Sequence, residues 1–90
     1  MQLLLLDPRD NVAIATTDLH ACETLTVADR VVRVRDDIPQ GHKVALEAMP
    51  TGTDVVRYGE VIGQTTTSVA VGAHVHVHNL ISKRIPGRQP

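Results

Sequence analysis

The sequence predicts an all-β domain made of short strands, and three observations carry that expectation. Apolar and polar residues alternate at period two in several stretches, which places one face of each on a core. Turn residues recur about every 8–12 residues, a spacing that suits a compact barrel or sandwich. No stretch shows the i, i+3, i+4 apolar spacing of a long amphipathic helix.

Residues 3–6 form an apolar run that Asp7-Pro8-Arg9 stops. Asp10-Asn11 is good turn chemistry, and residues 12–16 read as a returning strand, so the chain opens with a hairpin. Between residues 17 and 25 the pattern weakens, and Asp18 is placed to cap a single helical turn through Cys22. Across residues 26–35, Val27, Val31, Val32 and Val34 are interleaved with Asp29, Arg30, Arg33 and Arg35, as in one strand with a wet face. Beyond the break at residues 36–41 a small device recurs: a glycine, two residues, then a strand opening on an apolar residue. It appears at Gly41-His42-Lys43-Val44, Gly52-Thr53-Asp54-Val55 and Gly72-Ala73-His74-Val75. The glycine supplies a backbone conformation that other residues adopt at a cost. Its irregular spacing marks a recurring turn and not a repeat.

With 90 residues the chain is one domain, near the size at which a single core becomes marginal. There is no Phe or Trp, so the core is aliphatic and Tyr58 is expected to be its one large anchor, with the hydroxyl at the rim. Self-association or a partner chain is expected to add stability. A net charge of -1, no basic stripe and almost no aromatic residues give nucleic-acid binding no support. Lys83, Arg84 and Arg88 read as a solvated tail over residues 80–90, which leaves residues 1–79 as the domain. Cys22 is alone, forms no intrachain disulfide, and is expected to be a small buried hydrophobe. The opening apolar run is too short for a signal peptide or a membrane span, so a soluble cytoplasmic protein without a membrane partner is expected.

The most informative stretch is Gly72-Ala73-His74-Val75-His76-Val77-His78-Asn79. As a strand it puts His74, His76 and His78 on one face and Val75 and Val77 on the other. Same-face neighbours are roughly 7 Å apart, so two imidazoles can lean toward one cation or one anionic ligand. Three same-face histidines fill a core badly, because each ring nitrogen needs a partner.

Residues 38–46 (Ile38-Pro39-Gln40-Gly41-His42-Lys43-Val44-Ala45-Leu46), residues 56–63 and residues 72–79 together resemble the SAF-type domain of the altronate/galactarate dehydratase family, in the family's order. The resemblance runs from about Leu4 to Asn79. It implies a SAF-like β-clip with at most one or two short helical turns. It also implies lyase chemistry on a sugar acid or hydroxy acid, with water or sulfite eliminated. The domain is found ahead of a large catalytic region or as a small stand-alone subunit, as in the alpha subunit of sulfolactate sulfo-lyase. Two departures are visible: Cys22 stands where a glycine is usual, and Arg57 where lysine is common.

Elimination beside a carboxylate needs a base, a positive centre for the enediolate and an acid for the leaving group. The family's divalent metal, iron or manganese, is expected only in the complex with a large dehydratase-type subunit, with His74 and His76 as its ligands. His42 and Lys43 are the candidate catalytic pair, with His42 as proton carrier and Lys43 neutralising the acidic substrate's carboxylate. Asn79 either binds the same ligand or holds the turn after the strand. His20, His78 and Glu60 read as solvent-facing. The small chain is expected to be inactive alone. A non-catalytic β-clip module that binds a sugar acid or a partner protein is the rival reading, and a stand-alone metal-binding protein is the third.

Overall fold

In a computed structural model, which describes residues 2–82, the chain is all-β. Among the described residues nine short strands run β1 (Leu3–Leu4), β2 (Val12–Ala15), β3 (Thr24–Val27), β4 (Arg30–Arg33), β5 (Lys43–Ala45), β6 (Asp54–Arg57), β7 (Glu60–Thr65), β8 (His74–Val75) and β9 (Leu80–Ser82). They form three antiparallel sheets of order β1-β2-β5-β8, β3-β4 and β6-β7-β9. No helix occurs among the described residues, and none is long and apolar enough to cross a membrane. The basic tail residues Lys83, Arg84 and Arg88 lie outside the described residues.

The opening hairpin pairs Leu3 with Ala15 and Leu4 with Ile14, as the sequence predicts. The expected helical turn at Asp18 does not form: Asp18 Oδ1 accepts the Gln40 N–H at 2.8 Å and ties two loops together. The expected single strand over residues 26–35 is instead a hairpin. Val27 pairs with Arg30, and Ala28 turns the chain at φ 54°. Ala-Asp is weak turn chemistry, which is why the break does not show in the residue pattern.

Four turns repeat one geometry. The N–H groups of Glu23, His42, Thr53 and Ala73 donate to the carbonyls of His20, Pro39, Pro50 and Ala70, three residues back. The residue before each donor has positive φ: Cys22 (78°), Gly41 (88°), Gly52 (87°) and Gly72 (84°). Cys22 is therefore the fourth member of the glycine series, exposed at a turn and not buried. These turns sit in two equivalent halves. Leu19 and Met49, Cys22 and Gly52, and Ala28 and Tyr58 are each thirty residues apart. The spacing becomes thirty-one at Ile38 and Val69 and at Gly41 and Gly72, because Ile62 is an extra residue bulged out of β7 between the pairs Val55↔Gly63 and Val56↔Val61. The turn series is thus part of a true repeat, hidden by one cysteine and one bulge.

Each half has its own core. One cluster collects Leu19, Val27, Val32, Val34, Ile38 and Val44; the other collects Met49, Val55, Val69 and Val75. The four-stranded sheet divides them, because alternate residues of β2 and β5 face opposite ways: Ala13 and Val44 toward the first, Val12 and Ala45 toward the second. Two side-by-side cores give the long shape, 41 × 23 × 20 Å. The halves meet through equivalent strands, β5 and β8, by the pairs Lys43↔Val75 and Val44↔His74.

Tyr58 is not a core anchor. It is 69 % exposed and holds the first turn position of the β6–β7 hairpin at φ 57°. Buried Asp10 fixes that turn, its two carboxylate oxygens accepting the N–H groups of Tyr58 and Gly59 at 2.8 Å each. The domain boundary drawn after Asn79 falls inside the third sheet, where Leu80 and Ile81 of β9 pair with Thr65 and Gln64.

Candidate functional site

The strand expected through His78 ends at Val75. Asn79 folds the following residues into a turn: its Oδ1 accepts the His76 N–H at 2.9 Å, and its Nδ2 donates to the His74 carbonyl at 2.8 Å. The Asn79 amide is buried and both its ends are used within the turn. Val77, at the tip, is 81 % exposed. A His-Val-His-Val-His run has the alternation of a strand, so only the asparagine carries a signal of the turn.

The turn still gathers the imidazoles, and it brings them to His42 from the neighbouring strand. His42 Nδ1 lies 2.8 Å from His74 Nε2. The His42 ring stacks on His76 at 3.9 Å between centroids, with the planes 17° apart. His74 and His76 are nearly parallel, 9° apart at 5.7 Å. One nitrogen from each of His42, His74 and His76 falls within a 4.8 Å set. His78 flanks the group, its ring 5.0 Å from that of His74. Outside the ring set, Asp36 Oδ2 accepts the His74 N–H at 2.9 Å and anchors the backbone there.

This cluster suits a divalent cation. The His76 Nδ1 atom is buried and has no hydrogen-bond partner, a costly state for a ring nitrogen unless something binds it. Burial is the main cause that lowers the pKa of both His74 and His76. Neighbouring His78, His42 and His76 depress His74 further, and His42, Lys43 and His78 depress His76. Above pH 6.5 the lowering favours the neutral form of both rings, which is the form that coordinates a metal.

Lys43 is not beside His42. It leaves β5 on the face of Ala45 and the second core, whereas His42 and Val44 face the other way. It is half-buried, and its pKa is lowered by burial first and by Arg57 second. Its charge also reaches His76, so it borders the cluster from across the sheet. The expected solvent-facing residues are exposed: His20, whose Nδ1 is 3.9 Å from Asp37, Glu60 and His78.

The comparison that decides the family is with the altronate/galactarate dehydratase SAF domain, whose profile matches residues 1–83. The chain belongs to that family. This SAF domain is 39% identical over 79 residues to the altronate dehydratase of Escherichia coli (strain K12), covering 88% of the chain but 16% of that enzyme. It is 34% identical over 77 residues to the galactarate dehydratase (L-threo-forming) of the same organism, 14% of whose length it spans. Against the (2R)-sulfolactate sulfo-lyase subunit alpha of Paracoccus pantotrophus the identity is 46% over 57 residues. That match takes 63% of this SAF domain and 85% of the subunit.

Proposed function

We propose that this SAF domain is the small subunit of a two-component lyase. In this reading it docks on a large dehydratase-type chain and lends its histidine cluster to a shared active site. The substrate class is a sugar acid or short hydroxy acid that loses water or sulfite. Two findings support the reading: similarity to a sulfo-lyase alpha subunit over most of that subunit's length, and three imidazole nitrogens within one 4.8 Å set. The second carries the chemistry.

His74 and His76 are the proposed ligands of a divalent cation such as iron or manganese, with His42 near enough to be the third. Such a cation acts as a Lewis acid on a hydroxy acid's carboxylate and hydroxyl. Around it, Asn79 and Asp36 hold the backbone of the ligand turn, so the rings keep their positions when an acid arrives. Lys43 offers a positive charge to the acid from the other side of β5, and His42 is a proton carrier through the ring edge turned away from His74. Co-expression with a large dehydratase-type chain, followed by an elimination assay on altronate, galactarate and sulfolactate, tests the proposal. Elimination that needs both chains and is lost in His74→Ala and His76→Ala supports it. Full activity of the large chain alone, or of the doubly substituted pair, removes these residues from the mechanism.

A further inference from the structure

A second feature lies on the other side of the Gly72 turn from the histidines. A cleft of about 420 Å³ is lined by Cys22, Val31, Arg33, Val34, Arg35 and Val71. Its volume is within the range of small-molecule sites. Val31, Arg33 and Arg35 alternate along β4 and its continuation, so all three side chains stand on the outward face while Val32 and Val34 enter the core. Among the described residues neither Arg33 nor Arg35 has an ion pair or a side-chain hydrogen bond, although other arginines of the chain, Arg9 and Arg30, do. Two same-face guanidiniums that form no ion pair among the described residues repel one another, and an oxyanion relieves that. Val31 is 69 % exposed and Val71 39 % exposed, which gives the cleft apolar walls beside the two charges.

The cleft is held rigidly. Arg35 N–H donates to the Gly72 carbonyl at 2.9 Å, and Cys22 N–H donates to the Val34 carbonyl at 2.8 Å. A side chain at Gly72 would collide with the Arg33 carbonyl, so the two walls are in direct backbone contact. We infer that this cleft is a binding site for the carboxylate or sulfonate of a small organic acid, gripped by Arg33 and Arg35 with its carbon stem against Val31 and Val71. The cleft shares no lining residue with the histidine cluster, and the inference stands or falls without the lyase reading.

Cys22, the chain's single cysteine, is a built-in reporter at the cleft wall. The full chain is alkylated with iodoacetate, an anion, and in parallel with neutral iodoacetamide, and the ratio of the two rates is taken. A change in thiolate fraction affects both rates alike, so the ratio reads local attraction for a carboxylate. The expected ratio is about threefold to tenfold above that of the Arg33→Gln/Arg35→Gln variant, as two nearby charges in a partly solvated cleft imply. Malate and sulfolactate should protect Cys22 saturably, lactate less well, and the variant should lose protection by all three. Both arginines are exposed, so the variant keeps its fold, which circular dichroism confirms. Equal ratios in the two proteins, or no protection by malate and sulfolactate, would overturn the inference. Loss of metal binding at the histidines would leave it untouched.

Discussion

His42 Nδ1 and His74 Nε2 face each other at 2.8 Å across the β5–β8 pair, too close for both to carry a proton. One ring donates an N–H to the other, or both nitrogens turn to one cation seated off the line between them. Titration of the isolated chain with Mn2+ or Zn2+ should therefore show one site, and His42→Ala, His74→Ala and His76→Ala should each weaken it by at least about tenfold, the scale on which even outer partners of a ligand act. A His42→Ala chain that binds metal normally but silences the reconstituted pair would instead give His42 the proton-carrier role alone.

The same cluster sets a pH dependence. The pKa values of His74 and His76 lie below the ordinary 6.5 in the folded chain, so below that value the unfolded chain binds more protons. The stability they contribute is complete above pH 6.5 and is lost as pH falls from there toward their lowered values. The urea midpoint should drop as pH falls below about 6.5, and His76→Gln should flatten that slope. An unchanged slope in the variant would contradict the assignment.

Asn79 holds the ligand turn by two hydrogen bonds from a buried amide. Asn79→Ala leaves the His76 N–H and the His74 carbonyl unmatched and should cost about 2–3 kcal/mol. Metal affinity should fall with it, and Asn79→Asp, which keeps the acceptor, should recover part of both. Chemical denaturation and metal titration on the same preparations check the two effects.

At Cys22 a side chain is forced into positive φ where the three matching turns have glycine. Cys22→Gly should raise stability by about 1 kcal/mol, since the left-handed region costs an L-residue roughly 1–2 kcal/mol. Gly72→Ala should do the reverse and more, because strain adds to a clash with the Arg33 carbonyl. Parallel urea curves decide both.

Much of this fold is legible in the residues because period-two alternation and glycine turns are local signals. The opening hairpin and the strands after Gly41, Gly52 and Gly72 follow from them. What escapes has a physical cause in each case. Ala28 and Tyr58 turn the chain without turn chemistry of their own, and Tyr58 depends on Asp10, forty-eight residues away. The histidine face is readable from spacing, but its meeting with His42 depends on the β5–β8 register, a long-range pairing that no window of sequence contains. For the same reason Lys43, next to His42 in the chain, stands on the far side of the sheet. The cleft at Arg33 and Arg35 was not visible at all, because it needs the second hairpin and the Val71 turn to come together.

Two thirty-residue units that pair through matching antiparallel strands are related by an approximate two-fold axis through the β5–β8 pair. Lys43 and His74 occupy the same position in the two units, related by the pairs Lys43↔Val75 and Val44↔His74. The two units differ there, with an ammonium on one side of the axis and an imidazole on the other. A symmetric homodimer always presents the same group twice, whereas two units in one chain can carry different groups.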